Sequence, residues 1–292
     1  MATQGLRRII PAPARHVWRL MGERHLGLIA AGVAFFAMLA LFPALAALIA
    51  IVGLWADPAS VEQALDLAAD LLPPEVLELI AHHARRLTAA DSQTLGLASV
   101  VSLALALWSA RLGVSALVQG LTAIHGGALR GSLRGTGLAL LLTLMMVLVG
   151  ATAITFMLLV PVAMALLGPF LPGDSLLPHL AEALRWSVSL GALVLGLGIF
   201  YRYGPNRADG RRSPFLSAGL FLALLLWGLA SLGLTLFMAS FGNFNEVYGS
   251  IGAVIALLMW LYLSAYAVLI GAALNHALEN GSPNGPGNGA KS

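Results

Sequence analysis

The chain has 292 residues, of which 59% are hydrophobic and 10% charged, with a net charge of +3 and no cysteine. Soluble domains carry roughly 25% charged residues, so this composition excludes a water-soluble globular protein. The absence of cysteine excludes disulfides, thiolate nucleophiles and thiolate metal sites.

The N-terminal segment, 1–27, is basic. Arg7, Arg8, Arg15, Arg19 and Arg24 precede the first apolar run. That run is about twice the usual core of a cleaved signal peptide, so it reads as a retained first helix. Val17, Leu20 and Met21 share one helical face, with Trp18 beside them and Arg15, Arg19 and Glu23 on the other side. The spacing predicts a short helix at the membrane interface, its basic residues toward anionic head groups.

Long stretches almost free of charge follow, the clearest at 26–56, 135–173, 213–245 and 247–277. Each exceeds the roughly 20 apolar residues that cross a bilayer core of about 30 Å. Six spans fit best within a membrane domain at 28–278, near 28–53, 95–118, 137–167, 183–201, 215–239 and 249–274. The fourth is the weakest, because Glu182 and Arg185 precede a stretch diluted by Gly191, Gly196 and Gly198.

An even number of spans puts both termini on one side. That side then holds Arg7, Arg8, Arg15, Arg19, Arg24, Arg130, Arg134, Arg202, Arg207, Arg211, Arg212 and Lys291. The other side holds only Arg85, Arg86 and Arg185, against ten acids. Lys and Arg favour the cytoplasmic face, so both termini are expected in the cytoplasm. The fold class is an all-α polytopic membrane protein, a bundle of six transmembrane helices.

Between the first two spans lies an external loop, about 57–93. Val61, Leu65, Ala68 and Leu72 recur at helical spacing, with Glu62, Asp66 and Asp70 on another face. Pro73-Pro74 ends that helix, and Pro74 can open a second. An acidic amphipathic hairpin is expected, able to dock an envelope protein. The Gly/Asn/Pro-rich tail, 279–292, is expected to be disordered.

The residues that could carry function are mostly arginines. Arg111 falls inside the second span, where a cation is costly at mid-depth and marks a functional site or a snorkelling anchor. Measured from Leu95 it lies about 24 Å along the helix, which predicts a position near the cytoplasmic interface. Arg130, Arg134, Arg202 and Arg207 crowd the cytoplasmic loops, where each adds about 1 kcal/mol of attraction to an anionic leaflet. Together with Arg111 they are the candidate anion and lipid-head-group residues. Pro43 is a candidate helix break, since it frees a backbone carbonyl one turn back. Enzyme signatures are missing. There is no histidine pair at helical spacing with a glutamate, no P-loop and no nucleophile elbow. No catalytic residue, metal or cofactor is expected.

Several motifs occur in a recognisable order. Ala30-Ala31 leads to Leu41-Phe42-Pro43, and Leu107-Trp108-Ser109-Ala110 follows in the second span. Tyr201-Arg202 precedes Pro205-Asn206-Arg207. The last span has Tyr248-Gly249-Ser250, Trp260-Leu261-Tyr262 and Gly271-Ala272-Ala273-Leu274-Asn275. In these the chain resembles the BrkB/YihY family of bacterial inner-membrane proteins, over roughly residues 25–278. Two departures stand out: Ala273 occupies a position where the family often has glutamate, and Leu121-Thr122 with Ile124-His125 replaces its usual second-span ending. The resemblance implies a six-helix protein of the bacterial plasma membrane. An older ribonuclease label for the family fits poorly, because zinc-dependent cleavage needs clustered histidines and acids.

Three functions compete. The first is a translocase for a lipid or another amphipathic anion, with membrane lipids as partners. The second is a non-transporting scaffold for envelope assembly. There the external loop would hold a protein, and small residues such as Ala30/Ala34 and Ala46/Ala50 would let helices or a second copy pack closely. The third, a nuclease acting on nucleic acid, ranks far below.

Overall fold

The computed structural model describes residues 12–55, 92–128, 130–167, 176–207, 210, 212–240 and 250–281. Among these residues the chain is all helical: α1 (Ala12–Glu23), α2 (Leu26–Trp55), α3 (Ser92–Ile124), α4 (Ser132–Leu167), α5 (Leu177–Tyr203), α6 (Ala218–Ser240) and α7 (Ser250–Gly281). Six of them, α2 to α7, are long and apolar enough to cross a membrane. Residues 57–91 of the expected external hairpin lie outside the described residues, as do Tyr248 and Gly249.

Three boundaries differ from the sequence reading. The fourth span is not short: α5 begins at Leu177 and keeps its charges inside the helix. Glu182 accepts from both Arg185 and the Trp186 indole, so the pair is satisfied one turn apart. The second span does not end near 118, because α3 continues to Ile124. The last span continues past 274 to Gly281, which takes Glu279 out of the expected tail and into α7.

The chain divides into two compact units, Met1–Ala34 with Gly113–Ser292, and Phe35–Leu112. In the first unit α2, α4 and α6 begin, and α3, α5 and α7 finish, at one end. That end carries Arg24, Arg130, Arg202 and Arg207, and we call it the basic end. The core is built there from Leu26, Ala30, Leu121, Ile124, Phe200, Tyr201, Leu220 and Leu269. α6 packs along α7, and α4 along α5. The α6–α7 contact is backbone against backbone. A Cβ on Gly219 would overlap the Gly271 carbonyl, and one on Gly271 would overlap the Gly219 carbonyl and the Tyr201 hydroxyl. Without side chains there, Asn275 can accept from the Gly219 amide (2.7 Å) and donate to Ser217 Oγ (2.8 Å). The Tyr201 hydroxyl donates to the Val268 carbonyl. Farther along, the Trp260 indole donates to Ser231 Oγ, and its ring meets Trp227 edge-on.

The outer face of α6 presents Phe221, Leu225, Leu229, Leu232 and Leu236, each more than half exposed. Their spacing of three and four residues makes one stripe. Water would penalise such a stripe, whereas lipid tails match it. α1 is the short helix the spacing predicts over the N-terminal segment, and its apolar face packs on protein. Val17 and Leu20 are buried in the protein core and α1 lies on α7, while Trp18 points outward, 78% exposed.

In the second unit α2 runs through Pro43 to Trp55 without interruption. Phe42 is exposed, as is Trp108 on α3.

Candidate anion-binding site

The five candidate arginines separate into two groups. Arg207 is held by a carboxylate and Arg130 by backbone carbonyls, whereas Arg111, Arg134 and Arg202 form no ion pair among the described residues and Arg202 reaches only the Ser213 carbonyl.

Arg207 sits in the connection after α5, with its side chain only 5% exposed. It forks onto Glu279 of α7 at 2.8 and 3.1 Å. Planar guanidinium and carboxylate pair well in this bidentate form. The same guanidinium donates to Ser213 Oγ and to His125 Nε2. A guanidinium only donates, so His125 Nε2 must accept. The other ring nitrogen, Nδ1, faces the Leu121 carbonyl at 2.8 Å. A carbonyl only accepts, so Nδ1 must carry the hydrogen. His125 is therefore the neutral Nδ1–H tautomer. Burial, then the Arg207 charge, lowers its pKa from 6.5 to about 4. The ring of His276 stands edge-on to His125, and His16 of α1 lies against His276. No set of three histidine or acidic side chains among the described residues could hold a metal.

This arrangement has a signed pH dependence. The folded state resists protonating His125, while the unfolded chain binds that proton near pH 6.5. Stability is thus complete above about pH 6.5 and declines as pH falls toward about 4, by about 3 kcal/mol. Thermal unfolding in detergent should show the decline in wild type. His125→Gln keeps an acceptor for Arg207 and cannot titrate, so its melting temperature should stay flatter between about pH 6.5 and 5. Equal slopes would contradict the tautomer assignment.

Arg130 clamps the end of α5. It donates to the carbonyls of Gly204 at 2.6 Å and Pro205 at 3.1 Å, which the helix leaves without amide partners. Asn206 completes the clamp: its amide donates to Thr122 Oγ1 and its side chain to the Ala128 carbonyl. The end of α3 is shaped to receive this loop. The Gly126 amide bonds the Ala123 carbonyl and the Gly127 amide bonds that of Thr122, a Schellman ending that needs the positive φ of Gly126. A Cβ on Gly127 would overlap the Asn206 carbonyl.

Arg202 is half-buried between the Tyr203 and Phe215 rings and reaches the Ser213 carbonyl at 3.4 Å. Arg134 is exposed in the first turn of α4. Arg111 lies over the Trp108 ring at 4.4 Å, and its Nε is buried without a hydrogen-bond partner. Its position differs from the expectation of an interfacial residue. It falls near the middle of the candidate span Val100–Ile124.

Two crevices open on either side of Gln119 at the basic end. The larger, about 470 Å³, runs from Arg24 and Gly127 down to Gly32 and Ala116. The smaller, about 230 Å³, is polar, with Ser115, Thr122, Arg130 and Thr136 in its wall. The sequence did not mark Gln119, Arg24, His125, Ser213 or Glu279 as site residues. A signal existed for the last of these. Glu279 is one of few acids on a strongly basic side, and such an acid is a natural ion-pair partner.

Among the family motif positions, Pro205, Gly271 and Asn275 are buried at these contacts, Trp260 is the α6–α7 bridge, and Ala273 is fully buried in the core.

The chain is similar to several bacterial proteins. The ribonuclease-like protein YfkH of Bacillus subtilis is 28% identical over 254 residues, 85% of this chain and 88% of its own. A UPF0761 membrane protein of Alteromonas mediterranea is 33% identical over 35% of this chain and 36% of its own length. One from Neisseria meningitidis is 36% identical over 35% of this chain and 25% of its own. No solved structure matches the chain. The model of the family "Virulence factor BrkB" matches residues 17–292, and this multi-pass membrane protein belongs to that family.

Proposed function

We propose that the chain is a translocase for an amphipathic anion, a lipid with an anionic head group, in the bacterial plasma membrane with both termini cytoplasmic. The orientation rests on the bias of arginine toward the basic end. The chain is read as a passive or gradient-coupled carrier rather than an enzyme.

The observation that carries the reading is Arg111. A cation deep in an apolar span is expensive, and this one has a ring beneath it but no carboxylate beside it among the described residues. An anion passing along α3 would supply the missing counter-charge. Arg134 and Arg202 offer further unneutralised cations at the basic end. The scaffold reading draws less support. Ala30 and Ala34 are already buried within their own chain, and the external loop it needs falls mostly outside the described residues.

The test is reconstitution in vesicles containing a fluorescent anionic lipid. Wild type should accelerate exchange of that lipid between leaflets, and Arg111→Ala should slow it about tenfold, or 1.4 kcal/mol. Arg111→Lys keeps the charge and should restore part of the rate. Equal rates for wild type and Arg111→Ala would sink the reading. So would wild type that accelerates nothing.

A further inference from the structure

We propose that the larger crevice, between the start of α2 and the end of α3, seats one phosphate-bearing lipid. Its head group lies at Arg24 and its chain runs inward past Gln119 to Gly32 and Ala116. The inference rests on the translocase reading only for the lipid's onward passage. The seat itself is a matter of binding.

Three features of the crevice point to an amphipathic anion rather than to a free ion. The first is the order of its walls. α2 leaves the basic end and α3 arrives there, so Arg24 pairs in depth with Ala123, Gly126 and Gly127, and Gly32 pairs with Ala116. From Leu26, just below Arg24, to Gly32 the crevice descends about 9 Å along α2. Its cation is thus at the mouth and its apolar wall below, matching a head group and the upper part of an acyl chain.

The second is the way the space is kept open. Ideal Cβ atoms built on Gly32 and Gly126 meet nothing within 4 Å. At Gly120, one turn away, a Cβ would press on Ile29 and Leu269 at 2.9 Å. Gly120 therefore brings α2, α3 and α7 together at mid-depth, whereas Gly32, deeper on α2, leaves a gap. A glycine in the middle of a helix costs about 0.5–1 kcal/mol relative to alanine, and nothing in the packing at Gly32 requires one.

The third is the polar group at mid-depth. Gln119 is exposed in the wall and donates to Ser115 at 3.3 Å. It also lines both crevices. An amide at that level suits the ester region of a lipid. Arg24 is exposed and, unlike Arg207, forms no ion pair among the described residues; nor is it held by backbone carbonyls as Arg130 is. It stands at the mouth as a cation able to take a phosphate oxygen.

The experiment uses the full chain in nanodiscs of mixed phosphatidylglycerol and phosphatidylcholine, with retained lipid counted by native mass spectrometry. Wild type should retain one phosphatidylglycerol. Gly32→Leu puts a side chain into the crevice at a position where a Cβ meets nothing and should cut that retention about tenfold, with the melting temperature preserved. Gly228→Leu is the control. It places the same side chain on the open face of α6, where a Cβ also meets nothing, and should retain lipid like wild type. Arg24→Gln should abolish the preference for phosphatidylglycerol over phosphatidylcholine. Equal retention by wild type and Gly32→Leu would overturn the seat, whatever the leaflet-exchange assay gives. Displacement of the lipid by millimolar inorganic phosphate alone would reassign the site to a free anion and overturn it as a lipid seat. A wild type that retains lipid selectively but exchanges none keeps the seat and removes the translocase.

Discussion

Glu279→Ala is expected to lower stability by about 3 kcal/mol, a loss typical of breaking a buried ion pair from one side. The cost comes from what remains. Arg207 is 5% exposed and keeps its charge, while Ser213 and His125 offer only neutral acceptors. Removing both partners should hurt less than removing one. Arg207→Met with Glu279→Leu replaces the charges by apolar groups and should recover part of the loss. Thermal unfolding in one detergent of wild type, Glu279→Ala, Glu279→Leu, Arg207→Met and the double variant gives the single loss and, from the last three with wild type, a double-mutant cycle. A Glu279→Ala midpoint within the range of an ordinary surface change would mean that water reaches the guanidinium freely.

Gly271→Ala should do comparable or greater damage with a single added methyl group. The new Cβ would overlap the Gly219 carbonyl and the Tyr201 hydroxyl, with the Ala223 methyl at 2.9 Å. Backbone cannot yield as a side chain end does, so α6 and α7 must separate. Overpacking of this kind costs about 1–3 kcal/mol, or more where main chain is struck. Separation also stretches the Tyr201–Val268 and Asn275–Gly219 hydrogen bonds. The expected result is a lower melting temperature and a broadened elution profile. Gly228→Ala, with open space at its Cβ, should leave the protein unchanged or slightly more stable. If Gly271→Ala matched Gly228→Ala, the close approach of the two helices would be wrong.

These two sites also mark where the sequence stopped being informative. The spans could be read directly, because charge is absent from stretches such as 26–56, 135–173, 213–245 and 247–277 and helix is one of the two backbone forms that lipid tolerates. The long α2 and α4 were therefore expected. The ends were harder. Glu279 looked like the start of a polar tail because its partner, Arg207, is far away in sequence. Nothing in the local pattern could show that the charge was neutralised. Glu182 and Arg185 made α5 look short for the same reason, although their partnership is local and could have been read from the helical spacing. Arg130 and Arg207 looked like free cations for an anion because a list of arginines carries no information on which carbonyls and carboxylates fold against them. Gly271 and Asn275 could be singled out by resemblance. Their reason, a backbone contact with Gly219, is a long-range fact. Arg111 was found as an unusual residue, but its depth depended on how far α3 continued beyond Val118.

The docking of α1 on α7 has a bearing on how the protein is made. Val17 and Leu20 of the first helix reach their neighbour in the last one, and Arg207 and Gly219 also wait for α7. A chain emerging from the ribosome therefore inserts most of its spans before any of these contacts can form. α1 must remain at the membrane surface in the meantime, held by Trp18 and its neighbouring arginines. Contacts of such long sequence separation close late. The final helix thus converts a set of inserted segments into a folded protein, and a chain truncated before Ser250 would lack the partner of three elements at once.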